Sequence, residues 1–99
     1  TMLSGKQKRF LRAEAHHLSP IYQVGKNGVS EAMCKDIADA LEKRELIKVQ
    51  VLQNCMDTPK DVAGELAEGT QAEVVQVIGK VIVLYKEATE KENRQIKLP

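Results

Sequence analysis

With 99 residues, 42% of them hydrophobic and 29% charged, the chain suits one domain with a thin core, and its composition excludes fibrous, disordered and membrane classes. Only Phe10, Tyr22 and Tyr85 are aromatic, so the core must be aliphatic and rows of base-stacking aromatics are excluded. The formal net charge is +1, yet residues 1–28 carry a net +4 and the rest a net −3, which predicts a cationic face on a mildly acidic body.

Ser4-Gly5-Lys6-Gln7 has the form of a capping box and predicts a first helix. At 100° per residue, Leu3, Phe10, Leu11 and Leu18 fall on one side of it. Arg9, Arg12 and His16 gather on the other, flanked by Lys6 and Lys8. Pro20 disfavours helical geometry at Ser19, so the helix is expected to end near Leu18. Residues 21–24 follow as a short strand.

Gly25-Lys26-Asn27-Gly28 poses a choice. Asn-Gly is a strong hairpin signal, but a hairpin needs a second alternating strand. Residues 30–44 instead have helical periodicity, with Ser30 as N-cap and Val29 and Cys34 at hydrophobic-staple positions. GKNG therefore reads as a strand-to-helix loop. Residues 46–52 alternate, with Ile47, Val49 and Val51 on one face and Lys48 and Gln50 on a wet one. Thr58-Pro59-Lys60-Asp61 opens a third helix, whose inner face is Val62, Ala63, Leu66 and Ala67 and whose expected terminator is Gly69. Residues 73–78 and 81–85 are two strands joined by Gly79-Lys80, a pair suited to a type II′ turn. Residues 88–99 are polar and are expected to be a tail with little order.

The resulting order, α-β-α-β-α-β-β, predicts an α/β two-layer sandwich on a four-stranded mixed sheet. The first β-α-β is right-handed and parallel, and at least the second and third helices share one face. Setting Thr1 aside, the domain is expected over residues 2–87 with the tail at 88–99.

GKNG is the first candidate site. Gly25 and Gly28 let backbone approach an anion closely, Lys26 adds a mobile charge, and Asn27 can donate. The loop lies near a helix N-terminus, which favours a single backbone phosphate. Neither GxxxxGK[ST] nor GxGxxG is present, so a nucleoside triphosphate is not expected. The first helix adds Arg9 and Arg12, whose planar forks suit phosphate. Adjacent His16 and His17 point about 100° apart on a helix and cannot chelate one ion together; His17 reads as a partly buried structural histidine. Cys34 and Cys55 form no CxxC and suggest neither zinc nor disulfide. No metal, no cofactor and no enzymatic acid-base pair is expected. The cysteines suggest a reduced, cytoplasmic setting; no signal peptide and no membrane-spanning run is visible.

Taken together, KRFLR, AHHLSP, GKNG, ELIKV and GKVIVLYK resemble the chloroplast RNA splicing and ribosome maturation (CRM) domain, specifically the single-domain bacterial YhbY-like proteins. The resemblance runs to about Glu87. It implies a fold similar to the C-terminal domain of a bacterial translation initiation factor and an RNA-binding function, linked in bacteria to large-ribosomal-subunit precursors. It also implies a GxxG loop like that of KH domains, at Gly25, Lys26, Asn27 and Gly28, although a KH loop joins two helices. The family's basic helix corresponds to Lys6, Lys8, Arg9, Arg12 and His16. The expectation is a non-enzymatic RNA-binding protein whose partner is ribosomal RNA. The alternative is a protein-interaction module, using an open sheet face or acidic helix faces to hold a ribosomal protein or assembly factor.

Overall fold

The computed structural model describes residues 3–99; the expected domain start at residue 2 lies outside them. In chain order the elements are α1 (Gly5–Ala15), β1 (Tyr22–Val24), α2 (Glu31–Arg44), β2 (Leu46–Val51), α3 (Pro59–Thr70), β3 (Glu73–Ile78) and β4 (Val81–Tyr85). A short 3-10 turn, Lys91–Asn93, follows.

The helix starts obey local chemistry. Ser4 and Gln7 form the full capping box of α1, Ser30 Oγ accepts from Met33 N–H to cap α2, and Thr58 caps α3 ahead of Pro59. The helix ends follow different rules. α1 stops at Ala15, and its last turns close through His17 N–H to Glu14 O and Leu18 N–H to Ala15 O. α3 runs through Gly69 and ends at Gln71, which takes the left-handed conformation at φ 62°. Gly69 serves packing instead of termination: a Cβ there would lie 2.5 Å from Cys34 Sγ.

The sheet order is β1-β2-β4-β3. β1 and β2 are parallel, joined through α2, and β4 is antiparallel to both neighbours. The β3–β4 hairpin turns at Gly79, whose φ is +55°. Lys80 is not among the positive-φ residues, the sign pattern of a type II′ turn.

Two apolar clusters lie on opposite faces. Val24, Ile47, Val49, Ile82 and Leu84 meet Ile37 and Leu41 of α2 and Val62 and Leu66 of α3. Leu46, Val75, Val83 and Tyr85 meet Leu11 and Ala15 of α1. The expected sandwich of α2 and α3 on a four-stranded mixed sheet is present, and α1 adds a layer on the other face. The face carrying Lys48 is thus half-covered, not wet. Alternation within β2 could not reveal this, because an α1 stripe as narrow as Leu11 and Ala15 asks for little apolar area beneath it.

Residues 88–99 do not behave as a loose tail. Ala88 is buried, and Ile96 and Leu98 pack against the cluster that holds Leu3 and Phe10. The attachment is polar. The Glu45 carboxylate, fully buried, accepts N–H groups from Ala88 (2.9 Å), Gln95 and Ile96 (3.0 Å). Glu42 accepts from the N–H and Oγ of Thr89, from Glu90 N–H and from Asn93 Nδ2. A polar segment gives no sequence sign of order when its own amides are what is captured.

Candidate nucleic-acid interface

β1 delivers GKNG to one end of the sheet. The loop is a four-residue turn closed by Gly28 N–H donating to Gly25 O at 2.9 Å, with Gly28 at φ +66°. That conformation favours glycine. Gly25 is not under the same constraint: a Cβ there would stand 3.4 Å from Leu52 and Asn54 side-chain atoms, an ordinary van der Waals contact. The Gly28 amide is used inside the turn, while among the described residues no backbone acceptor takes the amides of Lys26 or Asn27. Lys26 and Asn27 are both exposed. Two carboxylates temper the site. Asp57 Oδ2 would stand 3.4 Å from a Cβ on Gly28, and Glu31 lies in the first turn of α2.

The hairpin tip is at the same end of the sheet. Val24 pairs with Val51, and Val51 N–H donates to Lys80 O at 2.7 Å. With strands about 4.8 Å apart, exposed Lys80 stands roughly two strand spacings from GKNG. Neither Lys80 nor Lys48 was singled out by sequence reasoning. A lysine in a turn and one in an alternating strand look like ordinary solvated positions until the sheet order is known.

The C-terminal half of α1 points toward this end. Arg12 and His16 line a cavity of about 210 Å³ with Lys48, Gln76 and Ile78. Lys48 Nζ also donates to Leu18 O at 3.1 Å, pinning the chain after α1 to β2. The α1 cations are not one cluster. Lys8 and Arg12 are half-buried beside the Leu11–Ala15 stripe, with their aliphatic stems along the protein, whereas Lys6, Arg9 and His16 are exposed. Lys6 lies six residues before Arg12, about 9 Å along the axis at 1.5 Å per residue. The structure therefore brings Arg12 and His16 to the GKNG end of the sheet, while Lys6, Lys8 and Arg9 extend back along the helix. His17, expected partly buried, is exposed; the helix ends before it, so it leaves the periodicity on which that reading rested.

Comparison with known proteins now bears on these features. The family model of the CRS1 / YhbY (CRM) domain matches residues 3–86. This chain belongs to the CRM domain family. It is 63% identical over 98 residues to the "Probable RNA-binding protein YqeI" of Bacillus subtilis, covering 99% of this chain and 100% of that one. It is 40% identical over 99 residues to an "RNA-binding protein" of Haemophilus influenzae, covering 100% and 97% respectively. The solution structure of Staphylococcus aureus protein SAV1595 is similar as well, with a TM-score of 0.80 and 56% identity over 99% of this chain and 100% of that one.

The other polar features of this CRM domain are structural. Burial raises the Cys34 thiol above its ordinary pKa, with Glu65 and Glu31 adding to the effect, the direction that disfavours the thiolate. Burial also raises Tyr85, and Glu45 adds to it. Among the described residues no group of three or more His, Cys, Asp or Glu could hold a metal ion, and no helix is long and apolar enough to cross a membrane.

Proposed function

We propose that this chain binds RNA, with ribosomal RNA of a large-subunit precursor as its ligand in the cytoplasm. Residues 2–87 form the RNA-binding unit and residues 88–99 brace it. Membership of the CRM family and the names of its YqeI and Haemophilus relatives support RNA as the partner. The observation that carries the reading is convergence. Lys26, Lys80, Lys48, and Arg12 with His16 come from four separate segments and lie toward the sheet end that bears GKNG. Backbone contacts of this type hold a nucleic acid in register without reading its sequence. GKNG, with free Lys26 and Asn27 amides and the Lys26 ammonium, takes one phosphate. Arg12 and His16 take others, and Lys6, Lys8 and Arg9 lengthen the track along α1.

The test is a titration of a large-subunit ribosomal RNA fragment with wild type and with the Lys26→Ala, Arg12→Ala double variant, at several salt concentrations. With about 3–5 phosphate contacts, the log-log salt slope of the wild type is expected near −2 to −4.5. The double variant is expected to bind more weakly and to lose roughly two units of slope. Equal binding by both proteins would reduce GKNG to a connector. Binding indifferent to salt would move the function to a protein partner. For such a partner the acidic groove between α2 and α3, with Glu31, Glu65 and Glu68, is the available surface, because α1 occupies the sheet face once expected to be open.

A further inference from the structure

We propose that the cavity between α1 and the hairpin end of the sheet receives the base of one unpaired nucleotide of the bound RNA. The inference rests on the RNA-binding reading and goes beyond it, since phosphate contacts alone require no unpaired base. It begins with an irregularity in β3. The register slips between Val74 and Gln76: Val74 pairs with Leu84, and Gln76 pairs with Val83. Leu84 belongs to the α2–α3 face and Val83 to the α1 face. Strict alternation would send Gln76 to the same side as Val74. The bulge turns it onto the α1 face instead, and brings Ile78, opposite Val81, along with it. Re-aiming a side chain is a recurrent use of bulges.

What the bulge aims at is a built recess. Its floor is apolar, from Ala15, Val81 and Val83; its rim carries Arg12, His16, Lys48 and Gln76, with no carboxylate among the lining residues. Ile78 at the edge is 57% exposed, an apolar side chain left in water beside three cationic or imidazole groups. The volume of about 210 Å³ is below the ~300–1,000 Å³ of sites for drug-sized ligands, and suits a single planar base. The chemistry matches each part of a nucleotide. The aliphatic floor and Ile78 cover the base faces, and the Arg12 guanidinium can stack on one of them. The Gln76 amide carries both donor and acceptor for a base edge. Lys48 and His16 face the phosphate. A base held in a duplex has its edge paired and its faces stacked, so only an unpaired or extruded one can enter. GKNG, three strands away across the sheet end, is about 14 Å from the β3 position, so one strand of RNA can touch both.

The experiment uses the full chain and three RNA hairpins of identical length: one fully paired, one with a single-nucleotide bulge, and one with an abasic residue at that bulge. Each of the four bases is tried in the bulge. For wild type, at least one bulged hairpin should bind about fivefold or more tightly than the paired and abasic forms, the lower end of what a stacked base is worth. Gln76→Ala should erase most of that preference. Lys26→Ala should weaken all three hairpins alike and leave the preference intact. Equal, salt-dependent binding of all three hairpins by wild type would overturn base capture while leaving the RNA-binding reading standing. A preference that survives in Gln76→Ala would move the captured base elsewhere and overturn this assignment. Failure of all three hairpins to bind would sink both readings. The Gln76 side-chain amide resonance supplies a second readout, expected to shift with the bulged RNA and not with the abasic one.

Discussion

Glu45 concentrates three roles in one residue. It ends α2 at φ 64°, a conformation that costs a non-glycine residue on the order of 1 kcal/mol or more. Its N–H donates to Leu41 O at 2.8 Å, and its carbonyl accepts from Lys86 N–H at 2.9 Å. Its carboxylate receives three amides from residues 43 to 51 positions later. Glu45→Ala removes that acceptor and leaves the Ala88 amide buried without one. A loss on the order of 3 kcal/mol is expected, readable as a Tm lower by roughly 12–24 °C. Glu45→Gly relieves the backbone while still losing the carboxylate, so its penalty should be smaller. If both variants melt with wild type, the carboxylate is not what holds the segment.

At the scale of elements, the α2–α3 contact is set by a small residue. Gly69 brings α3 so close that an added Cβ would stand 2.5 Å from Cys34 Sγ and 3.3 Å from Cys34 Cβ. Alanine normally improves a helix interior by about 1 kcal/mol over glycine. Here Gly69→Ala is expected to destabilise by about 1–3 kcal/mol through overpacking, and adding Cys34→Ala should restore most of it. Gly64, five residues earlier in the same helix, has nothing within 4 Å of its would-be Cβ, so Gly64→Ala should stabilise by roughly 1 kcal/mol. Chemical denaturation of the three variants beside wild type checks the pattern. A stabilised Gly69→Ala would mean the helices part freely.

For the whole molecule, the C-terminal segment packs Ile96 and Leu98 against the cluster between α1 and the sheet, and the clamp that holds the segment depends on pH. Thr89, Glu90 and Asn93 donate to Glu42 and lower its pKa from 4.5 to about 2. A depressed folded-state pKa means that the stabilisation is complete above the unfolded value, near 4.5, and is lost as pH falls toward 2. Amide protection at Thr89 and Glu90, taken as exchange relative to the intrinsic rate at each pH, is therefore expected to fall between those limits, ahead of protection in β2 and β4, with Glu42→Gln removing the transition. Simultaneous loss of protection in the segment and the sheet would show that the clamp and the core open as one unit.

Much of the fold, and the GKNG part of the candidate site, are legible in the sequence, because they rest on local chemistry. Ser4, Ser30 and Thr58 cap amides three residues away, Pro59 opens a helix, and Gly79-Lys80 turns a hairpin; each needs only its neighbours. GKNG is identifiable as a strand-to-helix loop because helical periodicity begins right after it. The tertiary structure alone decides the rest. It puts α1 on the sheet face that carries Lys48, and it joins Lys48 and Gln76 to Arg12 and His16. It shows that Gly69 makes room for Cys34, and that Glu42 and Glu45, which sit in the charged run LEKREL, are receptors for amides more than forty residues on. The physical reason is the same in each case. A cap or a turn is fixed by groups the chain itself brings within reach, whereas a buried carboxylate, a strand bulge or a cationic cluster gets its meaning from partners that only folding brings together.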